Sequence, residues 1–164
     1  MSPRAACRLA TLGFTSVHDY APGKVDWLAH ALPVEGTHAD QPIAASFARH
    51  DAATCSLTDT AGDVLDRIAA SAYRFALVLG PAGLLLGRVR RSVLQAADHE
   101  ERIDTLIEPG PSTIRPHLTV DELHHRLERT EIRTLIVTTP GGVLLGVVRR
   151  EDLPARKRAD RSAP

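Results

Sequence analysis

The chain has 164 residues, 43% of them hydrophobic and 24% charged, which suffices for one ordinary domain or two very small ones. Twenty Lys and Arg cancel twenty Asp and Glu, so the net charge gives no support for a nucleic-acid or membrane-surface binder. Cys7 and Cys55 form neither a disulfide framework nor a zinc site. No apolar run approaches the roughly 18 residues of a membrane span and the first residues do not read as a secretory signal, so the cytoplasm is the expected compartment.

In chain order, Ser2 to Leu9 reads as a helix, Val17-His18-Asp19-Tyr20 as a short strand, Pro22-Gly23 as a turn and Gly23 to Leu28 as a last helix before Leu32-Pro33. Leu9, Leu12, Trp27 and Leu28 give this fragment apolar faces that must dock on the rest of the chain or on a second copy. Residues 37–42 read as a polar linker.

Beyond the linker the chain repeats itself. Residues 54–94, shifted by 59 positions, align without a gap on 113–153, with fourteen identical pairs. The identities cluster at Pro81, Gly83, Leu85, Leu86, Gly87, Val89, Arg90, Arg91 and Leu94, which recur as Pro140, Gly142, Leu144, Leu145, Gly146, Val148, Arg149, Arg150 and Leu153. In each copy a short extended piece (Thr54-Cys55-Ser56; Ser112-Thr113-Ile114) precedes a helix. Thr60 with Asp63 and Thr119 with Glu122 have the spacing of a capping box. Ala61, Val64, Leu65, Ile68 and Ala69 follow the stripe of a buried helix face, and Val120, Leu123 and Leu127 keep a thinner one. Two apolar runs around a Pro/Gly turn then predict a hairpin (Phe75–Leu79 and Leu84–Val89; Leu135–Val137 and Val143–Val148). A second helix is expected over Ser92–Ala97 and over Arg150–Ala155. Each unit is β-α-β-β-α, and units this small need one another to bury a core.

The tandem β-α-β-β-α repeat, with Gly146-Val147-Val148-Arg149-Arg150-Glu151-Asp152-Leu153 closing the second copy, resembles the cystathionine-beta-synthase-type (CBS) domain pair, or Bateman module. The expected fold class is therefore α/β, in the mixed α+β sense: two CBS repeats, 43–107 and 108–157, packed as a pseudo-two-fold pair, with a basic tail at 158–164. The first 36 residues resemble the C-terminal third of a rhodanese domain without its catalytic cysteine loop. Cys7 lies in a helix and does not substitute for it.

The CBS resemblance implies a regulatory module and not an enzyme, taking AMP, ADP, ATP or S-adenosylmethionine as ligand. In the family an aspartate grips the ribose hydroxyls and a Ser/Thr meets phosphate. Asp152 stands at the aspartate position and Arg149 at the hydroxyl position; in the first repeat Val93 and Arg90 stand there instead. The resemblance thus assigns a nucleotide to the second repeat, with Asp152 on ribose, Arg149 on phosphate, Thr113 and Ile114 presenting backbone to the base, and Arg133 either lining the cleft or facing water. The adjacent His124 and His125 diverge by about 100° on a helix, so no metal site is expected. A homodimer is expected through helices carrying Leu94 and Leu153, together with a regulated protein partner of unknown identity. Two other readings stay open: an interaction module that has lost its ligand, and the remnant of a sulfurtransferase whose true start lies upstream.

Overall fold

A computed structural model describes residues 3–30, 32–37, 39–130 and 132–155. The basic tail lies outside these residues. The first segment carries helices α1 (Pro3–Thr11) and α2 (Gly23–Ala29), followed by a 3-10 turn at Ala44–Phe47. Val17–Tyr20 is not a strand. An extended segment is held by its ladder, and no strand pairs with this one among the described residues.

The first repeat comprises β1 (Thr54–Cys55), α3 (Ala61–Ala69), β2 (Phe75–Leu79), β3 (Leu85–Arg90) and α4 (Arg91–Ala96). After α5 (Ile103–Leu106) and β4 (Glu108–Pro109), the second repeat follows as β5 (Thr113–Ile114), α6 (Val120–Thr130), β6 (Thr134–Thr138) and β7 (Leu144–Arg149). Both helix starts are capped as their spacing predicts. Thr60 Oγ1 accepts from the Asp63 amide at 3.4 Å. Thr119 and Glu122 form the full reciprocal box, with the Thr119 amide donating to Glu122 Oε2 at 2.8 Å and the Glu122 amide donating to Thr119 Oγ1 at 3.5 Å. The expected second helix forms in the first copy only. In the second copy Arg150–Asp152 makes a single 3-10 turn, because Pro154 has no amide hydrogen and disfavours helical geometry in the residue before it.

Two sheets result, in the orders β1-β2-β3-β4 and β5-β6-β7. In each, a parallel pair precedes an antiparallel hairpin, β1 on β2 and β5 on β6. The hairpin tips meet, with Leu84 bridging Val143 and the Leu85 amide donating to Gly142 O at 3.0 Å. Between the sheets, Tyr73, Leu77, Ile136 and Val147 form a shared core.

The repeats also exchange the segments that lead into them. Glu108–Pro109, just ahead of the second repeat, pairs with β3 of the first, and Ile103, Leu106 and Ile107 enter the first core beside Val64, Ile68 and Val89. Reciprocally, Ala44, Phe47 and Ala48 enter the second core beside Leu123, Leu127 and Val148. Arg49 pairs with Val147 of β7 through two main-chain hydrogen bonds of 2.9 Å. The repeat shift of 59 relates Arg49 to Glu108 and Val147 to Arg88, so both crossings are one arrangement used twice. Glycine permits each. A Cβ on Gly146 would stand 2.6 Å from Arg49 O, and one on Gly87 would stand 2.6 Å from Glu108 O.

Leu94 and Leu153 face inward, in the first and second cores respectively. They are not available as dimer contacts, because each points back onto the sheet of its own repeat. The N-terminal helices bury none of their residues. Trp27 packs within its own segment, edge-on to Tyr20 at 5.1 Å with its indole N–H donating to Pro33 O at 2.8 Å. Leu28 and Leu32 face Ile43, His117 and Thr119 across a cavity of about 720 Å³. Leu12 and Phe14 remain 58% and 61% exposed.

Candidate functional site

The end of β7 delivers Arg149 and, one turn later, Asp152 to the line where the second repeat meets the segment leading into the first. Arg49 reaches across that line. Its Nε donates to Asp152 Oδ2 at 2.7 Å and its Nη2 donates to Asp152 Oδ1, a two-pronged pair. The Asp152 side chain is 12% exposed and that of Arg49 is 49% exposed. The carboxylate raises the Arg49 pKa above its ordinary value, chiefly through the hydrogen bond.

Arg149 is held beside this pair by groups from both repeats. Its Nε donates to Tyr73 Oη at 3.0 Å, its Nη2 to Asp51 Oδ2 at 2.9 Å and its Nη1 to Glu151 Oε1 at 3.1 Å. The guanidinium carbon also lies 4.4 Å from the Tyr73 ring centre. The Tyr73 hydroxyl in turn donates to Asp51 Oδ1 at 2.7 Å. That hydrogen bond, with Arg149 nearby, lowers the Asp51 pKa, while burial leads the rise at Tyr73. The hydrogen bonds that Arg149 donates to Tyr73 and Glu151 raise its own pKa.

Next to Arg49 a cavity of about 170 Å³ opens between the repeats, lined by Arg49, His50, Ala52, Thr54, Leu144, Gly146 and Val147. Its walls come from residues 49–54 and from β7. Thr113 and Ile114 do not line it: β5 pairs with β6, and Ile114 is buried in the second core. Arg133 is exposed, and its carbonyl accepts from the Arg150 amide at 2.9 Å. Of the residues expected at the site, the fold thus brings Asp152 and Arg149 together and leaves Thr113, Ile114 and Arg133 elsewhere. Arg49, Asp51 and Tyr73 escaped sequence reasoning, since they lie about a hundred or more than seventy residues from their partners. The repeated Gly87 and Gly146 were the available signal, because a glycine inside a strand marks close backbone approach.

The corresponding place in the first repeat is built with opposite charge. Glu108 Oε2 accepts from Arg88 Nε and Oε1 pairs with Arg90 Nε, each at 3.0 Å. Val93, where the aspartate would stand, packs against the first core. The described residues contain no cluster of histidine, cysteine and carboxylate groups able to hold a metal ion. No helix among them is long and apolar enough to cross a membrane.

Two β-α-β-β units with exchanged lead-in segments and a small cavity at their junction define a tandem-repeat module. Residues 103–154 match the family model of the CBS domain, and the whole arrangement has the fold of a CBS domain pair. The CBS domains of a transcriptional regulator from Streptococcus pneumoniae superpose with a TM-score of 0.61 at 20% identity, covering 67% of this chain and 94% of that one. CBSX2 from Arabidopsis thaliana, solved in complex with AMP, gives 0.59 at 19% identity over 68% and 92%. The cytosolic domain of the magnesium channel MgtE, in complex with ATP, gives 0.55 at 21% identity over 66% of this chain. The present chain spans only half of that domain. No curated protein matches the chain. None of these likenesses supports the rhodanese resemblance of the N-terminal residues.

Proposed function

We propose that this CBS pair is a regulatory, non-catalytic module that takes one adenosine-containing ligand, AMP, ADP or ATP, in the cleft of its second repeat, and passes its occupancy to a protein partner in the cytoplasm. The carrying observation is the pairing of Asp152 with Arg49, a cationic residue that lines a cavity between the repeats. The two oxygens of a carboxylate can accept both ribose hydroxyls, and those of Asp152 here accept from Arg49. Val93 offers nothing equivalent in the first repeat, so the stoichiometry is one per chain. The AMP and ATP held by two proteins of the same fold support the ligand class.

Arg149 enters this reading differently from the sequence expectation. Each of its three nitrogens donates a hydrogen bond, so it braces the two repeats; with five N–H donors in a guanidinium, a phosphate can join these partners. Thr113, Ile114 and Arg133 drop out of the proposed site. A homodimer remains part of the proposal, through surfaces other than Leu94 and Leu153.

A second reading, the ligand-free interaction module, is favoured by the size of the cleft. Ligand pockets usually measure roughly 300–1,000 Å³, against about 170 Å³ here, and Arg49 is already paired with Asp152 and Arg149 with Asp51. Calorimetry on the full chain with AMP, ADP, ATP and S-adenosylmethionine separates the two. Binding of one nucleotide per chain, lost in Asp152→Ala, supports the sensor; no heat with any of them leaves the interaction module.

A further inference from the structure

The carboxylate on which the proposed ribose contact depends is already occupied by a side chain of the protein itself. We infer that Arg49 is an intramolecular competitor for the ribose site: it sets the affinity of the second cleft, and a ligand enters by exchanging ribose hydroxyls for the guanidinium on Asp152. This rests on the cleft reading above and specifies how that cleft is regulated.

Three features make the exchange a local movement. The main chain of Arg49 is fixed by its two hydrogen bonds to Val147, so only the side chain needs to swing and the sheet stays intact. Asp51 Oδ2 lies 4.0 Å from Arg49 Nη1 and offers the displaced cation a second carboxylate. The Arg49 side chain is half exposed, so it leaves towards water and not into the core. Arg49 also lines the small cavity, and its departure enlarges the space where a ligand must fit. The first repeat has no such device: Glu108 stands at the position of Arg49 and is engaged by Arg88 and Arg90.

An arginine beside a nucleotide would ordinarily be expected to assist binding. A competitor does the opposite, and adenosine separates the two roles, because it carries the ribose hydroxyls and no phosphate for Arg49 to hold. Calorimetric titration of the full chain is expected to show adenosine binding to Arg49→Ala and Arg49→Gln about three- to tenfold more tightly than to the wild type, the scale of a partly exposed charged pair. Raising NaCl from about 0.05 to 0.5 M should tighten adenosine binding to the wild type, because screening weakens the pair, and should leave Arg49→Gln unchanged. Circular-dichroism melts establish that each variant is folded, and Arg49→Gln serves should the alanine variant fail. Equal or weaker adenosine binding in the variants, with the wild type still binding, overturns the competitor role and spares the cleft. If wild type and variants bind neither adenosine nor AMP, the cleft reading fails and the inference with it.

Discussion

Gly146→Ala attacks the crossing that joins the two repeats. The new methyl group would lie 2.6 Å from Arg49 O and 3.2 Å from Ala48 Cβ, at a backbone φ of +143° that side-chain-bearing residues rarely adopt. Either the residue keeps its conformation, at a strain of about 1–3 kcal/mol, or the lead-in segment moves off β7 and loses the two hydrogen bonds between Arg49 and Val147, each contributing about 1 kcal/mol. Between them the two routes give a loss of about 1–3 kcal/mol. For a chain of this length that lowers the melting temperature by roughly 2–12 °C. The control is Gly141→Ala, whose Cβ would meet only Thr139 Oγ1, at 3.8 Å and without a left-handed φ; it should stay within about 0.5 kcal/mol of the wild type. Thermal and urea unfolding of the three proteins in parallel provide the measurement. Indistinguishable midpoints for Gly146→Ala and Gly141→Ala would refute the argument that close packing of the lead-in segment on β7 holds the repeats together.

Tyr73→Phe keeps the ring under Arg149 but removes the hydroxyl shared with Asp51; urea unfolding should show a loss of about 1–2 kcal/mol, and an unchanged midpoint would deny Tyr73 its bracing role. Asp51, Asp59 and Glu122 all have pKa values lowered by hydrogen bonds in the folded chain, from Tyr73, Ser56 and Thr119 respectively. Their stabilisation is therefore complete above the ordinary carboxylate range and is lost as pH falls through the lowered folded values. Melting temperature should hold steady near neutrality and decline progressively below about pH 5, less steeply in Asp59→Asn. Cys55 is buried and its thiol is pushed up to about 11 by that burial, whereas Cys7 is exposed. A thiol-specific chromogenic reagent at pH 8 should titrate one cysteine in the native chain and two in urea, and Cys7→Ser should abolish the native signal.

The repeat, its helix caps and its hairpins were legible in the sequence because each rests on neighbours within a few residues. A Thr and an acidic residue three apart satisfy the same amides wherever they occur, and Pro140-Gly141-Gly142 turns the chain regardless of what surrounds it. The family likeness also followed, since a gapless duplication copies a whole unit at once. Where local signals were thin the reading slipped. Pro154 stopped a helix that the repeat pattern extended, and Val17–Tyr20 had the look of a strand without a partner to make it one. Leu94 and Leu153 read as surface contacts because sequence gives no direction to an apolar residue beyond its own element.

Only the tertiary structure decided what the cleft contains. Asp152 and Arg149 were recognisable by position, but an ion pair has no signature in a chain when its members lie 103 residues apart. Arg49 reaches Asp152 because the segment before the first repeat crosses to the second sheet, and Gly146 lets it lie close enough to do so. The same crossing lines the small cavity with residues from 49–54 and not with Thr113 and Ile114. The charges at Arg49 and Glu108 are opposite at related positions, and it was the exchange of segments that turned this difference into two unlike sets of ion pairs.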